Sequence, residues 1–354
     1  MDTKKILVTG VLGQDGANMC EFLLKDRKNK VFGMIRRVSN PNFINCREFL
    51  DDDNFQLVYG DLTDEISLCK LVQEIQPDYF INFAANSFVG CSWDMPMQIF
   101  DTNALGIIRC LEAIRRYQPS CRFYSAGSSE EFGNVDYCPQ DIQHPIKPRS
   151  PYGASKASAR HIVKVYRESY NLFAVHGILF NHEGTKRGEE FVTRKITKGV
   201  ARIKHHLDTA LEIESFDPIK LGNIYSQRDW SDSEDFIKGV WLMLNQDEPK
   251  DYLLASGETH TIKEFVETAF KAAGIYGSWI ESGDDPLRTK YLLAADEYKT
   301  LVEIDEDFYR PAEVDLLQGD PTKAVEALGW KPEISFDELV GRMVQWDIEI
   351  IRSS

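Results

Sequence analysis

A glycine-rich turn after the first apolar run, and apolar runs that alternate with helical stretches as far as residue 180, predict an α/β protein. Its larger part reads as a Rossmann-type doubly wound parallel sheet, with a smaller α/β substrate-binding domain attached. Residues 4 to 9, K-K-I-L-V-T, form a short apolar run closed by glycine, the pattern of a buried parallel strand. An amphipathic helix follows from about Asp15 to Lys25, with Met19, Phe22 and Leu23 on one face. Further strands are expected at V-F-G-M-I (31 to 35), F-Q-L-V-Y (55 to 59), Y-F-I-N-F (79 to 83) and R-F-Y-S-A (122 to 126). Helices at 67 to 75 and 104 to 116 fill the gaps. A long helix starts at Pro151, where proline's missing N–H is no loss, and F-A-V-H-G-I-L-F (173 to 180) adds another strand.

Beyond residue 183 charged, glycine-containing loops alternate with shorter helices and strands, and the tail from Pro321 reads as two helices separated by G-W-K-P. The expected division is 1–182, with a returning segment near 222–256, against 183–221 with 257–354. No internal repeat, low-complexity tract or Ser/Gly linker breaks the chain.

With 354 residues, of which 27% are charged, the chain can bury a large core. A net charge of −15 argues against a nucleic-acid surface, although a few local arginines could still hold a nucleotide. No apolar run approaches the length of a membrane-spanning helix, and the opening apolar run is too short for a signal peptide. Cys20, Cys46, Cys69, Cys91, Cys110, Cys121 and Cys138 are scattered, without any C-x-x-C. They read as reduced thiols of a cytoplasmic protein without a metal site. His205-His206 reads as solvated helix surface.

T-G-V-L-G-Q-D-G (9 to 16) sets Gly10, Gly13 and Gly16 between the first strand and the first helix. Glycines there permit a tight turn and the close approach of a pyrophosphate to a helix N-terminus. The end of the second strand distinguishes NAD from NADP. An acidic residue there would bind the ribose 2′-hydroxyl, whereas Arg36-Arg37 offers planar cations to a 2′-phosphate. NADP is the expected cofactor, with a solvated basic pair as the other reading. Asp61 and Leu62, after the third strand, are placed to meet the adenine. Ala84, Ala85 and Ser87, after the fourth, lie where the cofactor crosses the sheet edge and bulk would obstruct it.

Two strings then carry chemistry: S-S-E at 128 to 130 and Y-G-A-S-K at 152 to 156. Tyr152 supplies a phenolic base and Lys156 a cation to acidify it. One redox step at an alcohol needs no more than these. Glu130 is a separate carboxylate suited to a second proton, so the constellation points beyond simple dehydrogenation. Glu131 is adjacent, and either glutamate could be merely solvated.

These motifs, in this order, resemble the extended short-chain dehydrogenase/reductase superfamily, and within it the GDP-mannose 4,6-dehydratase family. The selective parts are G-Q-D-G, I-R-R, S-S-E-E-F-G, S-P-Y-G-A-S-K, I-L-F-N-H-E-G-T-K-R-G-E-E-F-V-T-R-K-I (178 to 196), L-G-N-I-Y-S-Q-R-D-W (221 to 230) and Y-R-P-A-E-V (309 to 314). The resemblance covers nearly the whole length and implies a hydro-lyase working by an internal redox cycle on a GDP-linked sugar. Tyr152 would take the C4 hydroxyl proton as hydride leaves C4, and Glu130 would remove the C5 proton and help water leave from C6. Ser128 would hydrogen-bond the 4-oxygen, and hydride would return to C6 to give a 4-keto-6-deoxy sugar. Gln14, Asp15, His182 and Arg187 join the cofactor set by the same resemblance. Ser87, Asn181, Val192, Lys195, Leu221, Gly222, Arg228, Arg310 and Glu313 would hold the nucleotide sugar. The family also implies a homodimer or homotetramer.

Several positions depart from the family pattern. Ser128 stands for a usual threonine, Gly127 for a serine, Glu131 for an apolar residue, Phe88 for a histidine and Gln98 for a tyrosine. Residues 38 to 54 are shorter than the family's assembly loop. GDP-mannose and GDP-manno-heptose are both credible substrates, because small residues near C6 could admit one more carbon. A GDP-sugar 4-epimerase or 4-dehydrogenase is an alternative that has no need of Glu130. An inactive NADP-binding scaffold is the remaining alternative.

Overall fold

Ile6, Leu7 and Val8 are all fully buried, as a strand must be when helices cover both faces of its sheet. The computed structural model describes residues 3–133, 135–209, 216–283, 285–309, 314 and 316–353, with the backbone alone at 297 and 298. The first elements are β1 (Lys4–Thr9), α1 (Gln14–Leu24), β2 (Asn29–Ile35), β3 (Phe55–Tyr59), α2 (Glu65–Ile75) and β4 (Tyr79–Asn82). The helix expected from residue 104 begins earlier. Pro96–Phe100 (α3) runs through one turn of π geometry, Asp101–Leu105, into α4 (Gly106–Tyr117). Then come β5 (Arg122–Ala126), α5 (Pro151–Tyr170), β6 (Ala174–Leu179) and β7 (Asn181–Glu183).

The later chain supplies α6 (Val192–Thr209), β8 (Ile219–Leu221), β9 (Gln227–Arg228), β10 (Trp230–Asp232), α7 (Ser233–Leu244) and β11 (Asp251–Leu254). It continues with β12 (His260–Thr261), α8 (Ile262–Ala272), β13 (Gly277–Ile280), β14 (Lys290–Leu293) and β15 (Asp296–Ile304). It closes with β16 (Leu316–Leu317), α9 (Thr322–Leu328) and α10 (Phe336–Ser353).

The central sheet has seven strands in the order β11-β6-β5-β4-β1-β2-β3, all parallel. The expected doubly wound sheet is therefore present. Strand order reverses between β1 and β4, which opens a crevice at the carboxyl ends of the strands. Alternate residues feed two cores. Val8, Tyr124 and Val175 meet α1 and α7 on one face, whereas Leu7, Phe123 and Ala174 meet α2, α4 and α5 on the other. Ala324, Leu328 and Trp330 come from the tail of the chain and pack into the first of these cores.

A third core joins α6, α8 and α10 to the sheet β13-β14-β15-β8, with Ile196, Val200, Phe265, Leu301 and Val344 fully buried. It stands over the carboxyl edge of the large sheet. His205 is exposed, but His206 is partly covered and its ring meets Phe216 edge-on at 5.6 Å. All seven cysteines are free thiols. Among the described residues no helix is long and apolar enough to cross a membrane, and no acidic, histidine or cysteine cluster could hold a metal ion.

Candidate functional site

Because the strands are parallel, the loops after β1, β2, β3, β4, β5 and β6 all open on one side of the sheet. They line one large cleft of about 1330 Å³, closed from above by the start of α6 and the end of α10. Gly10, Gly13, Gln14, Asp15, Gly16, Arg36, Asp61, Leu62, Ala84, Ala85 and Ser87 all border it. So do Ser128, Glu130, Tyr152, Lys156, Asn181, His182, Arg187, Val192, Lys195, Leu221, Gly222 and Arg228. Arg310 and Glu313 lie outside the described residues.

At the cofactor end, Gly10 has φ +73°, and a β-carbon on it would stand 2.8 Å from the Ala84 nitrogen. Gly13 begins α1 without a side-chain cap, so the first-turn N–H groups remain available to an anion. Thr9 Oγ1 donates to Asn82 Oδ1 at 2.7 Å and accepts from the Ala84 nitrogen at 3.1 Å, which fixes the loop bearing Ala84 and Ala85. Arg36 is exposed at the end of β2, whereas Arg37 donates to the Val38 carbonyl. Gln14 Oε1 and Asn181 Oδ1 are buried without hydrogen-bond partners among the described residues. Bare first-turn N–H groups, small loop residues and these two acceptors fit a dinucleotide.

Asp15 and His182 form the electrostatic centre of this end. His182 Nε2 lies 3.0 Å from Asp15 Oδ2, Nδ1 lies 2.8 Å from the Phe180 carbonyl, and the ring stacks on Phe236. A ring that meets an acceptor at each nitrogen can donate at both only as the imidazolium. Burial works against both charges, yet each stabilises the other. His182 is raised above its usual range and Asp15 is held below its own.

Ser150 caps α5, its Oγ accepting the Gly153 N–H at 3.0 Å, and Pro151 takes the first helical position. Tyr152 thereby sits in the first turn, facing the cleft, and Lys156 lies one turn on. Lys156 Nζ donates to the Ala126 carbonyl at 2.7 Å and lies 5.8 Å from the Tyr152 ring centroid. Burial pulls this ammonium down to about 8, with Glu131 and Asp15 opposing the shift. Burial pushes the Tyr152 hydroxyl up, while the Ser128 hydroxyl and the Arg187 charge draw it down. Ser128 heads the short turn Ser129–Glu131, its Oγ accepting from the Glu130 nitrogen at 3.2 Å. The Glu130 carboxylate has neither a hydrogen-bond nor an ion-pair partner among the described residues, which leaves a base open to the cleft.

Arg187, whose charge acts on Asp15, His182 and Tyr152, is held by Glu183 at 2.9 Å and lies 3.5 Å over the Phe191 ring. Lys195, half-buried against Phe308 at 3.1 Å, is pulled down to about 8 by burial. Such a cation gains when an anion arrives. Sequence reasoning read Phe88 only as a departure from the family pattern, whereas its ring meets Phe191 edge-on at 6.0 Å beside the cleft. It also missed Phe308, Trp346 and Ile351, which line the cleft from chain segments without a motif. Glu131 is not solvated, as its neighbour Glu130 partly is: its side chain is fully buried against His176.

A family model described as "GDP-mannose 4,6 dehydratase" matches residues 7–343. The chain is 43% identical to the GDP-mannose 4,6-dehydratase of Yersinia enterocolitica over 98% of its own length and 94% of that protein. It is 42% identical to the human GDP-mannose 4,6 dehydratase, covering 98% of this chain and 92% of the relative. The crystal structure of a dTDP-glucose 4,6-dehydratase from Streptomyces venezuelae, with NAD bound, superposes with a TM-score of 0.79. That match covers 98% of this chain and 97% of the other at 22% identity, a likeness of fold.

Proposed function

The chain belongs to the GDP-mannose 4,6-dehydratase family, and on that premise we propose that it is a hydro-lyase removing water from a GDP-linked mannose sugar. One observation above the others supports this reading. The unpaired Glu130 carboxylate shares a cleft with Tyr152 and Lys156, and hydride transfer alone has no use for it.

A nicotinamide cofactor, when bound, supplies the hydride acceptor and donor. Gly10, Gly13, Gln14, Asp15, Gly16, Asp61, Leu62, Ala84, Ala85, His182 and Arg187 would hold it, and the exposed Arg36 favours NADP. Tyr152 takes the C4 hydroxyl proton onto its phenolic oxygen. Lys156, pinned by the Ala126 carbonyl, supplies the positive field that stabilises the phenolate and so acidifies the phenol. Ser128 hydrogen-bonds the 4-oxygen. A 4-keto group acidifies the neighbouring C5 proton, which Glu130 removes before protonating the departing C6 oxygen. With hydride back at C6 and the proton held by Tyr152 delivered to C5, the net change is one water lost and a 4-keto-6-deoxy sugar, with the cofactor unchanged. Ser87, Asn181, Val192, Lys195, Leu221, Gly222 and Arg228 would hold the GDP-sugar, together with Arg310 and Glu313. A cytoplasmic assembly of two or four copies is part of this reading. Tyr117, Val165 and Tyr170, exposed on α4 and α5, offer apolar surface for it.

The test incubates purified protein, NADP⁺ or NAD⁺, and either GDP-mannose or GDP-manno-heptose, and weighs the products. Loss of one water from either sugar, faster with NADP⁺, is expected. An isomer of unchanged mass, or a product lighter by two hydrogens, would overturn the dehydratase reading in favour of epimerisation or plain oxidation.

A further inference from the structure

Behind the Ser128–Glu130 turn lies a carboxylate that the reaction leaves unused. Glu131 and His176 are both fully buried. Glu131 Oε1 stands 2.9 Å from His176 Nε2 and accepts the Ser128 backbone N–H at 2.9 Å. With Ser128 Oγ capping the turn, this completes a capping box that anchors both ends of the segment presenting Ser128 and Glu130. The pair also accounts for Gly127, the position where the family carries serine. A β-carbon there would stand 2.6 Å from Glu131 Oε1 and would collide with His176 Nε2. Two departures from the family pattern, Gly127 and Glu131, are thus one structural feature.

A carboxylate sealed from water costs several kcal/mol unless its surroundings compensate. Glu131 Oε2 and His176 Nδ1 have no hydrogen-bond partner among the described residues, so the compensation is incomplete. The charge does act on its surroundings. Lys156 faces two carboxylates, Glu131 from the turn and Asp15 from α1. Tyr152, on the same helix as Lys156, is acted on by Glu130, Glu131 and Arg187. On the far side Asp251 faces His176 and is itself held by Arg160 and Arg167.

We propose that Glu131 and His176 form a positioning pair, which locks the Ser128–Glu130 turn and sets a carboxyl group behind the Ala126–Ser128 backbone that also anchors the Lys156 ammonium. The proposal rests on the roles read above for Ser128, Glu130, Tyr152 and Lys156. Its geometry requires the His176 proton on Nε2, where it is donated to Glu131.

Glu131→Gln keeps the acceptor for Ser128 and removes the carboxyl group, whereas His176→Gln keeps an N–H donor and leaves that carboxyl group in place. Competitive acetylation by acetic anhydride across pH, read by peptide mass, titrates Lys156 without any substrate. Its midpoint, near 8 in the native protein, should fall by roughly one unit in Glu131→Gln and stay in place in His176→Gln. The alkaline limb of kcat should move down with it while KM holds. An unmoved Lys156 midpoint in Glu131→Gln, or equal shifts in both variants, would overturn the proposal. Should Glu131→Gln fail to fold, nitrogen NMR of the native protein decides the matter. A slowly exchanging proton on His176 Nε2 supports the pair, and one on Nδ1 sinks it. Failure to release water from any GDP-sugar would remove the functional reading yet leave the Lys156 titration interpretable.

Discussion

Glu130 and Glu131 are neighbours in the chain and opposites in environment. One carboxylate is unpaired in the cleft; the other is buried against an imidazole and a backbone N–H. The difference decides which can move a proton to and from a substrate. Glu130→Gln should therefore reduce dehydration by about 10²- to 10⁴-fold while cofactor affinity stays native, measured by steady-state kinetics and fluorescence titration. Unchanged turnover would transfer the reaction to an epimerase-like scheme. The Asp15–His182 pair makes a prediction about stability. His182, raised above its ordinary 6.5, stabilises the fold fully below that value and loses the contribution as pH rises through the folded pKa. Asp15, lowered below its ordinary 3.8, contributes above that value and loses it as pH falls through the folded pKa. The melting-temperature gap between native protein and His182→Gln should thus be widest between pH 3.8 and 6.5 and shrink on either side. A gap constant from pH 4 to 9 would rule out the charge pair.

At the scale of elements, the first turn of α5 is what points Tyr152 at the cleft. Its cap is one hydroxyl, Ser150 Oγ to Gly153 N at 3.0 Å. Ser150→Ala should cost about 1 kcal/mol of stability, a few degrees of melting temperature in a chain of this size. It should lower kcat by more than the stability loss accounts for, because the phenol shifts with its turn, and Ser150→Asp should restore both. Native kcat in Ser150→Ala would show that the helix is held by its packing alone. Element types were legible where side chains repeat with a clear period, as in β1 and α5. Helix starts were less so. The helix expected from 104 begins at Pro96, because an interposed π turn shifts the apolar stripe and hides the continuity.

Across the whole molecule the cleft needs the third core to stay over the sheet edge, and α6 carries Val192 and Lys195 into it. That helix is tied to α10 by a buried ion pair, Arg194 to Asp347 at 2.8 Å, with Thr197 donating to the same carboxylate at 2.7 Å. Asp347→Ala would leave a buried guanidinium without its carboxylate partner, held only by the Thr185 and Arg187 carbonyls among the described residues, and should cost roughly 3–5 kcal/mol by urea unfolding. On the proposed division of the cleft, GDP-sugar affinity should fall more than nicotinamide-cofactor affinity, since α6 carries Val192 and Lys195. Arg194→Met with Asp347→Leu should recover most of the stability. If Asp347→Ala weakened both ligands equally, the two ends of the cleft would unfold as one unit.

By itself the sequence determined the doubly wound sheet, the glycine turn and the positions of Ser128, Glu130, Tyr152 and Lys156. Those features are written in local periods and short spacings, where each residue's neighbours in the chain are also its neighbours in space. Only the tertiary structure decided that Glu131 is sealed against His176, 45 residues away along the chain. It alone explained why residue 127 carries no side chain, and it alone brought Trp346 and Ile351 of the last helix to the cleft. Contacts between distant strands and helices depend on how whole faces pack, and no local pattern of residues records that.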